Sequence, residues 1–597
     1  MKIAHRLMLA MAMILAGIIG VHAIAQAGAA TSATALQPSR PHESAPFNQT
    51  TPGLLEAAVA SGELDRGAAD LLLAYALTGD ARLPEKFIGW GRWSGTLAHA
   101  QLTRRANQAR SQNSFLSTSS LGSVAIYTKV SALLSNTCSP SWDGAQSLPD
   151  AQTSAHFYIQ YDASLLGGGL TVQDYIAALE TSWDTEIGTF GFVTPPIKTA
   201  NPPPGGKYFV RINGLPNGVY AITSDTGDYG GDPNGNGIFD DDNPNSPWTE
   251  THARASCMII NQNFSSLTSM FPHEALSSTV AHELFHAIQY GLGAIDAYNI
   301  TGSARDIVLI EGSTTALEDE VFDASNDNAR SFGYPAFATC LADDENTADA
   351  YASWLWWRAL IEPFGHGIAG GSEQVLQDFY EITGRNPVVT HMDALKQALA
   401  NKGATLAAAY HSASIALKVM RPCGGSYVHP TCMSEAATYV ATHGTTPVNG
   451  SVSSVGISLT TAVQDNYGSN WTQMPVATAN YIVTVTNSSV GGALRASFVC
   501  DTGANLVVTD WPGVVTSGQS AAVTVAPAGC ASAVLVVTNE SSTASAPVTC
   551  AARSMLIETN RMVASPTPVP TATTPPTGIR QPLPHTTRSH FIPVLVR

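Results

Sequence analysis

Charge is scarce in this chain. Of its 597 residues 46 are acidic and 29 basic, so 13% carry a formal charge, against about 25% in ordinary soluble domains. Solubility therefore falls to Ser, Thr, Asn, Gln and Gly. Lys and Arg form no cluster, and the net charge of −17 repels phosphate, so nucleic acid is excluded as a partner class and an anionic membrane surface is a poor one. After the N-terminus no apolar run reaches the ~20 residues that a bilayer-spanning helix needs. No C-x-x-C spacing is present, which argues against a thiolate zinc site or a dithiol redox motif. Nor does any internal repeat appear. Hydrophobic content is ordinary at 44%, which excludes wholesale disorder, and the length allows several domains of ~150 residues.

What is present begins at the N-terminus. Lys2 and Arg6 precede an apolar run from Leu7 to Val21 and the small-residue stretch Ala23-Ile24-Ala25-Gln26-Ala27. That order reads as a secretory signal peptide with an A-x-A cleavage site, and it predicts a secreted or cell-surface protein. The eight cysteines, an even number, then predict disulfides. Cys423 and Cys432 bracket the turn-rich CGGSYVHPTC and are expected to pair with each other; the connectivity of the rest is open.

The pattern divides the chain as follows. Residues 1–27 are the signal peptide, 28–52 a linker, and 53–120 a helical leader that is either a prosegment or a packed subdomain. Residues 121–435 alternate strand-like and helical patterns, with HFYIQY and KYFVRING as strands and TVQDYIAALETSWDTEIGTFG as an amphipathic helix; helices dominate from Glu274 to about Leu417. This is an α+β domain. From Ala436 to Cys550 only Asp465, Arg495, Asp501, Asp510 and Glu540 are charged, and Val/Thr/Ile alternation between Gly and Asn clusters predicts an all-β sandwich over 436–555. Residues 556–589 form a stiff Pro/Thr-rich linker, and 590–597 (HFIPVLVR) a short apolar tail suited to cell-surface docking.

The sharpest motif is His282-Glu283-Leu284-Phe285-His286, an HExxH. Leu276, Val280, Leu284 and Ile288 recur every four residues around it, which predicts a helix with one buried stripe. Two imidazoles one helical turn apart can grip one Zn²⁺, with Glu283 placed to take a proton from metal-bound water. A third ligand is still required. Glu311 opens EGSTTALEDEVF after 24 residues that follow His286, and is the candidate. Glu318 falls on the same helical face as Glu311 and is suited to accept the Nδ1 proton of a ligand histidine, with Asp319 as its competitor; a solvated acidic helix end is the plain alternative for both. A second metal signal is DPNGNGIFD, whose Asp232, Asn234, Asn236 and Asp240 offer alternating oxygens around a Gly turn and suit Ca²⁺, with Asp225 and Asp228 as added donors. An Asx-rich surface turn is the alternative there.

These residues resemble the gluzincin branch of zinc metallopeptidases. The wording is closest to a group of exported bacterial metalloprotease-like proteins whose zinc helix reads AHEFFHAIQ and whose third-ligand helix reads EGTATWMED; here they stand as AHELFHAIQ and EGSTTALED. The resemblance covers roughly Ala155 to Phe364, and the leader with its GELDRGAADLLLAYAL looks similar too. It implies a zincin-like catalytic domain with His282, His286 and Glu311 on zinc and Glu283 as general base. The chain departs from the group at Ala316-Leu317, where the group is aromatic, and carries no NExxxD arrangement. The helix opened by Tyr351 is similar in pattern to the segment that carries the oxyanion-binding Tyr in gluzincin aminopeptidases; a core tyrosine among Trp354, Trp356 and Trp357 is the alternative, and His273, His366 and His391 are other candidates for that role. The expected function is secreted, zinc-dependent hydrolysis of extracellular protein or peptide. The competing expectation is a catalytically silent, calcium-stabilised surface-binding protein on the same fold. Hydrolysis of another polymer is a third.

Overall fold

A computed structural model describes most of residues 50–89, 148–225, 242–265, 272–295, 307–325, 353–365, 372–540 and 551–562, with a few single positions between them. The signal peptide, the C-terminal tail, the proposed calcium loop with Asp228, Asp232, Asn234, Asn236 and Asp240, and the Pro/Thr linker beyond residue 562 lie outside the described residues. The first residues expected in that linker, 556–561, instead complete a strand, Ala552–Arg561, which alternates in burial and pairs along Leu556 to Glu558 with two neighbouring strands.

Two helices open the described chain, α1 (Thr51–Ala60) and α2 (Arg66–Thr78). The Thr50 hydroxyl caps α1 by accepting from the Gly53 N–H, and Gly62, at φ +76°, makes the turn between the two. Their apolar faces form a small core of their own with Phe87, Ala98 and Leu102; Val219 and Ile222 join it from the rest of the protein.

A mixed five-stranded sheet follows. Its strands are β1 (Asp150–Thr153), β2 (Phe157–Tyr161), β3 (Tyr208–Asn213), β4 (Ala221–Asp225) and β5 (Ser256–Asn261), in the order β1-β2-β3-β5-β4. The inner pairs β2–β3 and β3–β5 are parallel, whereas β4 runs antiparallel along the edge. Helices α3 (Val172–Trp183) and α4 (Pro272–Gly291) cover one face. Phe157, Ile159, Val210 and Ile260 of the sheet meet Tyr175, Leu179, Leu276, Val280 and Leu284 there. The three stretches expected to be strand, helix and strand form β2, α3 and β3.

The other side of α4 packs on a helical layer: α5 (Ile307–Val321), α6 (Trp354–Ile361), α7 (Ser372–Arg385), α8 (His391–Asn401), α9 (Leu406–Val419) and α10 (Ala436–His443). The fall in charge at Ala436 therefore precedes the first strand of the β region by one helix. Tyr439 of α10 explains the overlap, because it stacks edge-on against Trp354 at 5.1 Å and its hydroxyl donates to Asp319 at 2.7 Å.

Ten strands make up the last unit. β6 (Gly450–Ser451), β8 (Ser469–Gln473), β10 (Ala493–Asp501), β11 (Leu506–Asp510) and β14 (Ser532–Asn539) run in the order β11-β10-β14-β8-β6, with β12 (Val515–Thr516) added beside β10. A second sheet orders β13 (Ser520–Val525), β9 (Tyr481–Asn487), β15 (Ala552–Arg561) and β7 (Ser458–Gln464). Val483, Val485, Met555 and Ile557 of this sheet share a core with Leu494, Phe498, Leu535 and Val537 of the first. The opposite face of the first sheet is also covered: Trp471, Val499, Val534 and Val536 pack into the helical layer. Ala533 to Asn539 are buried at every position, whereas β9 alternates. A strand buried on both faces has no place for charge, which accounts for much of the shortage of charge noted from composition.

Cys423–Cys432 and Cys500–Cys530 are disulfides, the first as expected, and Cys257 and Cys340 are disulfide-bonded as well. Among the described residues no helix is long and apolar enough to cross a membrane.

His411 of α9 pins the helical layer to the first β sheet. Its Nδ1 lies 2.8 Å from Thr538 Oγ1 and its Nε2 2.7 Å from Ser497 Oγ. Burial, reinforced by the nearby Arg495 charge, lowers its pKa from 6.5 to about 4. The unfolded chain therefore takes up this proton first as pH falls, so the stability tied to neutral His411 is lost between pH 6.5 and 4. In urea titrations across that window the wild-type chain should lose on the order of 3 kcal/mol more than the His411→Gln variant; parallel curves would contradict the assignment.

Candidate metal centre

α4 lies between the sheet and the helical layer, so almost every residue from Ala275 to Gly291 is buried rather than the single predicted stripe. The histidines are turned towards α5. His282 Nε2 and His286 Nε2 are 3.1 Å apart, and Glu311 on α5 brings its two oxygens to 3.1 Å from His282 Nε2 and 3.5 Å from His286 Nε2. A tetrahedral zinc site with ligand bonds of ~2.0–2.1 Å has an edge of about 3.3 Å. The separations are each close to that edge, with one Glu311 oxygen facing each histidine. Neither buried oxygen of Glu311 receives a well-aligned hydrogen bond, and all three residues are at most 2% exposed. This donor set fits a metal ion.

Charge in the pocket points the same way. Burial disfavours the imidazolium of His282, but Glu311 and Glu318 outweigh it and raise its pKa to about 9. For Glu311 burial acts upward, yet His286 and His282 hold it at about 2. The pocket is built to keep one positive charge between the imidazoles and the carboxylate.

The outer nitrogens are fixed as well. His282 Nδ1 lies 2.8 Å from Glu318 Oε1, as expected for a carboxylate orienting a ligand histidine. His286 Nδ1 lies 2.7 Å from Gln289 Oε1, whose amide in turn donates to Thr314 Oγ1 at 2.9 Å. The sequence reading missed Gln289, although an amide three residues beyond a ligand histidine on the same helix is a readable signal. Asp319 does not reach the histidines. It accepts from Tyr439 and sits 3.3 Å from the buried Arg358, which also pairs with Glu320 and lies 3.6 Å from Glu435.

Glu283 is 2% exposed, and its carboxylate accepts a hydrogen bond from Thr96 Oγ1 at 2.8 Å. Thr223 of β4 supports both groups. Its N–H donates to Thr96 Oγ1 at 2.9 Å, and its hydroxyl donates to the Glu283 carbonyl at 2.9 Å. No local pattern marks Thr96, which lies 187 positions from Glu283. Tyr351 is buried with its ring 6.2 Å from that of His282. Of the alternatives, His273 pairs with Asp174 at the start of α4, His391 packs on Phe379, and His366 lies outside the described residues. Asp225 ends β4, with only its backbone described.

A second trio, Cys423, His429 and Cys432, also converges, but its sulfurs are bonded to each other and are not thiolate donors. The chain matches no protein-family model and no curated protein.

The two neighbouring acids should separate in a metal competition titration. Glu318→Gln removes the charge behind His282 and should weaken metal affinity by about 10- to 100-fold. Asp319→Asn should leave metal affinity within a few-fold of the wild type and lower the unfolding midpoint instead. Equal effects of the two on affinity would contradict the assignment.

Proposed function

We propose that the chain is a zinc-dependent peptidase acting outside the cytoplasm, with a zincin-like α+β domain that bears the site and a β-sandwich that follows it. The observation that carries this reading is the convergence of His282, His286 and Glu311 at tetrahedral spacing, with Glu283 between the two histidines in sequence. Two imidazoles and one carboxylate leave a fourth position open, the pattern of a catalytic rather than a structural zinc site.

When bound, Zn²⁺ supplies an acidified water and polarises a carbonyl oxygen. The chain's own residues do the rest. Glu318 and Gln289 accept the Nδ1 protons of His282 and His286, which directs the Nε2 lone pairs inward. Glu283 takes a proton from the attacking water and returns it to the leaving nitrogen. Tyr351, stacked beside His282, donates its phenolic proton as a hydrogen bond to the developing oxyanion. The substrate class that suits an exported, disulfide-bonded protein is extracellular protein or peptide. The same reading gives Ca²⁺ to the oxygens of Asp232, Asn234, Asn236 and Asp240, and cell-surface docking to the C-terminal tail.

Glu283→Gln tests the reading because it keeps shape and removes the base. The variant should retain stoichiometric zinc and lose at least about 100-fold in cleavage of an unstructured peptide library. Undiminished cleavage would sink the peptidase assignment.

A further inference from the structure

Glu283, His282, His286 and Glu311 are each no more than 2% exposed. A general base that acts on a polymer must meet both water and the scissile bond, and here the Glu283 side chain is buried instead. The group that engages Glu283 comes from far away in the chain. Thr96 is fully buried; its oxygen accepts the Thr223 N–H and its hydroxyl donates to Glu283 Oε2. β4 is the edge strand, and the Thr223 N–H points off that edge. Gly95 brings the same segment so close to the edge that a Cβ there would lie 2.3 Å from Ile222 Cγ1 and 3.2 Å from Leu77 Cδ2. Among the described residues, the unit that carries Thr96 has a hydrophobic core distinct from those around it. Its core is that of α1 and α2, joined by Val219 and Ile222 with Leu215 at its margin, and Arg105 pairs with the buried Asp70 inside it.

We propose that this N-terminal unit is an intramolecular inhibitor, which occupies the carboxylate of Glu283 and the free edge of β4 and must leave before substrate can enter. The inference rests on the peptidase reading. Hydrogen bonds to a charged acceptor are among the stronger single contacts in a protein, so the Thr96 hydroxyl occupies the carboxylate oxygen that a substrate-side water would otherwise meet. Inhibition thus needs no contact with the metal. The gain of activity on release comes from freeing both the base and the edge strand.

Two variants of the full chain test it, with zinc content and peptide-library cleavage measured on each. Thr96→Val keeps the shape and removes the donor. Gly95→Val drives a side chain into Ile222 and lifts the segment from β4. Both should cleave at least about tenfold faster than the wild type at equal zinc content, and adding Glu283→Gln should abolish the gain. If the Gly95 variant fails to fold or to hold zinc, the isosteric Thr96 variant decides alone. Cleavage equal to or slower than the wild type would overturn the proposal, because the segment would then support Glu283 rather than block it. If wild type and variants all hold zinc and none cleaves, the peptidase reading fails and the proposal with it.

Discussion

Glu311 has both carboxylate oxygens out of water, facing the edges of two imidazoles. An ionised carboxylate taken from water without compensation costs several kcal/mol even after relaxation, so this residue sets a condition on everything around it. Positive charge has to be held at one point. α4 and α5 must therefore keep a fixed separation, and the construction behind α5 serves that end. Arg358 is buried among Asp319, Glu320 and Glu435, and Tyr439 closes the group by donating to Asp319. Burial alone opposes the charge on Arg358, yet Tyr439, Asp319 and Glu362 keep its pKa above the usual arginine value. The helix that carries Glu311 and Glu318 is thus anchored from behind by one permanent cation, while its front face meets the imidazoles of His282 and His286.

That anchoring reaches into the β region. α10 supplies Tyr439, with Glu435 as its N-cap residue, just before the first short strand, and α9 lies across the sheet containing β10 and β14 through His411, Ser414 and Trp471. The β unit is therefore a wall of the helical core as well as a module of its own. The absence of charge from the central strand of its first sheet follows from cover on both faces, and Ser, Thr and Asn provide the hydrogen bonds at the contact.

The convergence of His282, His286 and Glu311 was legible in the sequence because the spacing within each helix is local. A four-residue spacing on a helix turns two histidines the same way, and Glu311 and Glu318, seven apart, share a face whatever the fold. The paired Cys423 and Cys432 were legible by the turn they bracket. Thr96, Thr223 and Arg358 were not legible, since each acquires its partner through packing of segments that nothing in the local pattern connects. Asp319 illustrates the same limit. One residue separates it from Glu318, but a helix turns about 100° per residue, so the side chain goes to Arg358 instead of His282.

The central claim is that His282, His286 and Glu311 hold one zinc ion with an open position, and X-ray absorption at the zinc edge tests it most directly. The account predicts two nitrogen and one or two oxygen neighbours at about 2.0–2.2 Å, with the signal lost in the His286→Ala variant. A first shell containing sulfur, or a spectrum unchanged by that substitution, would contradict it.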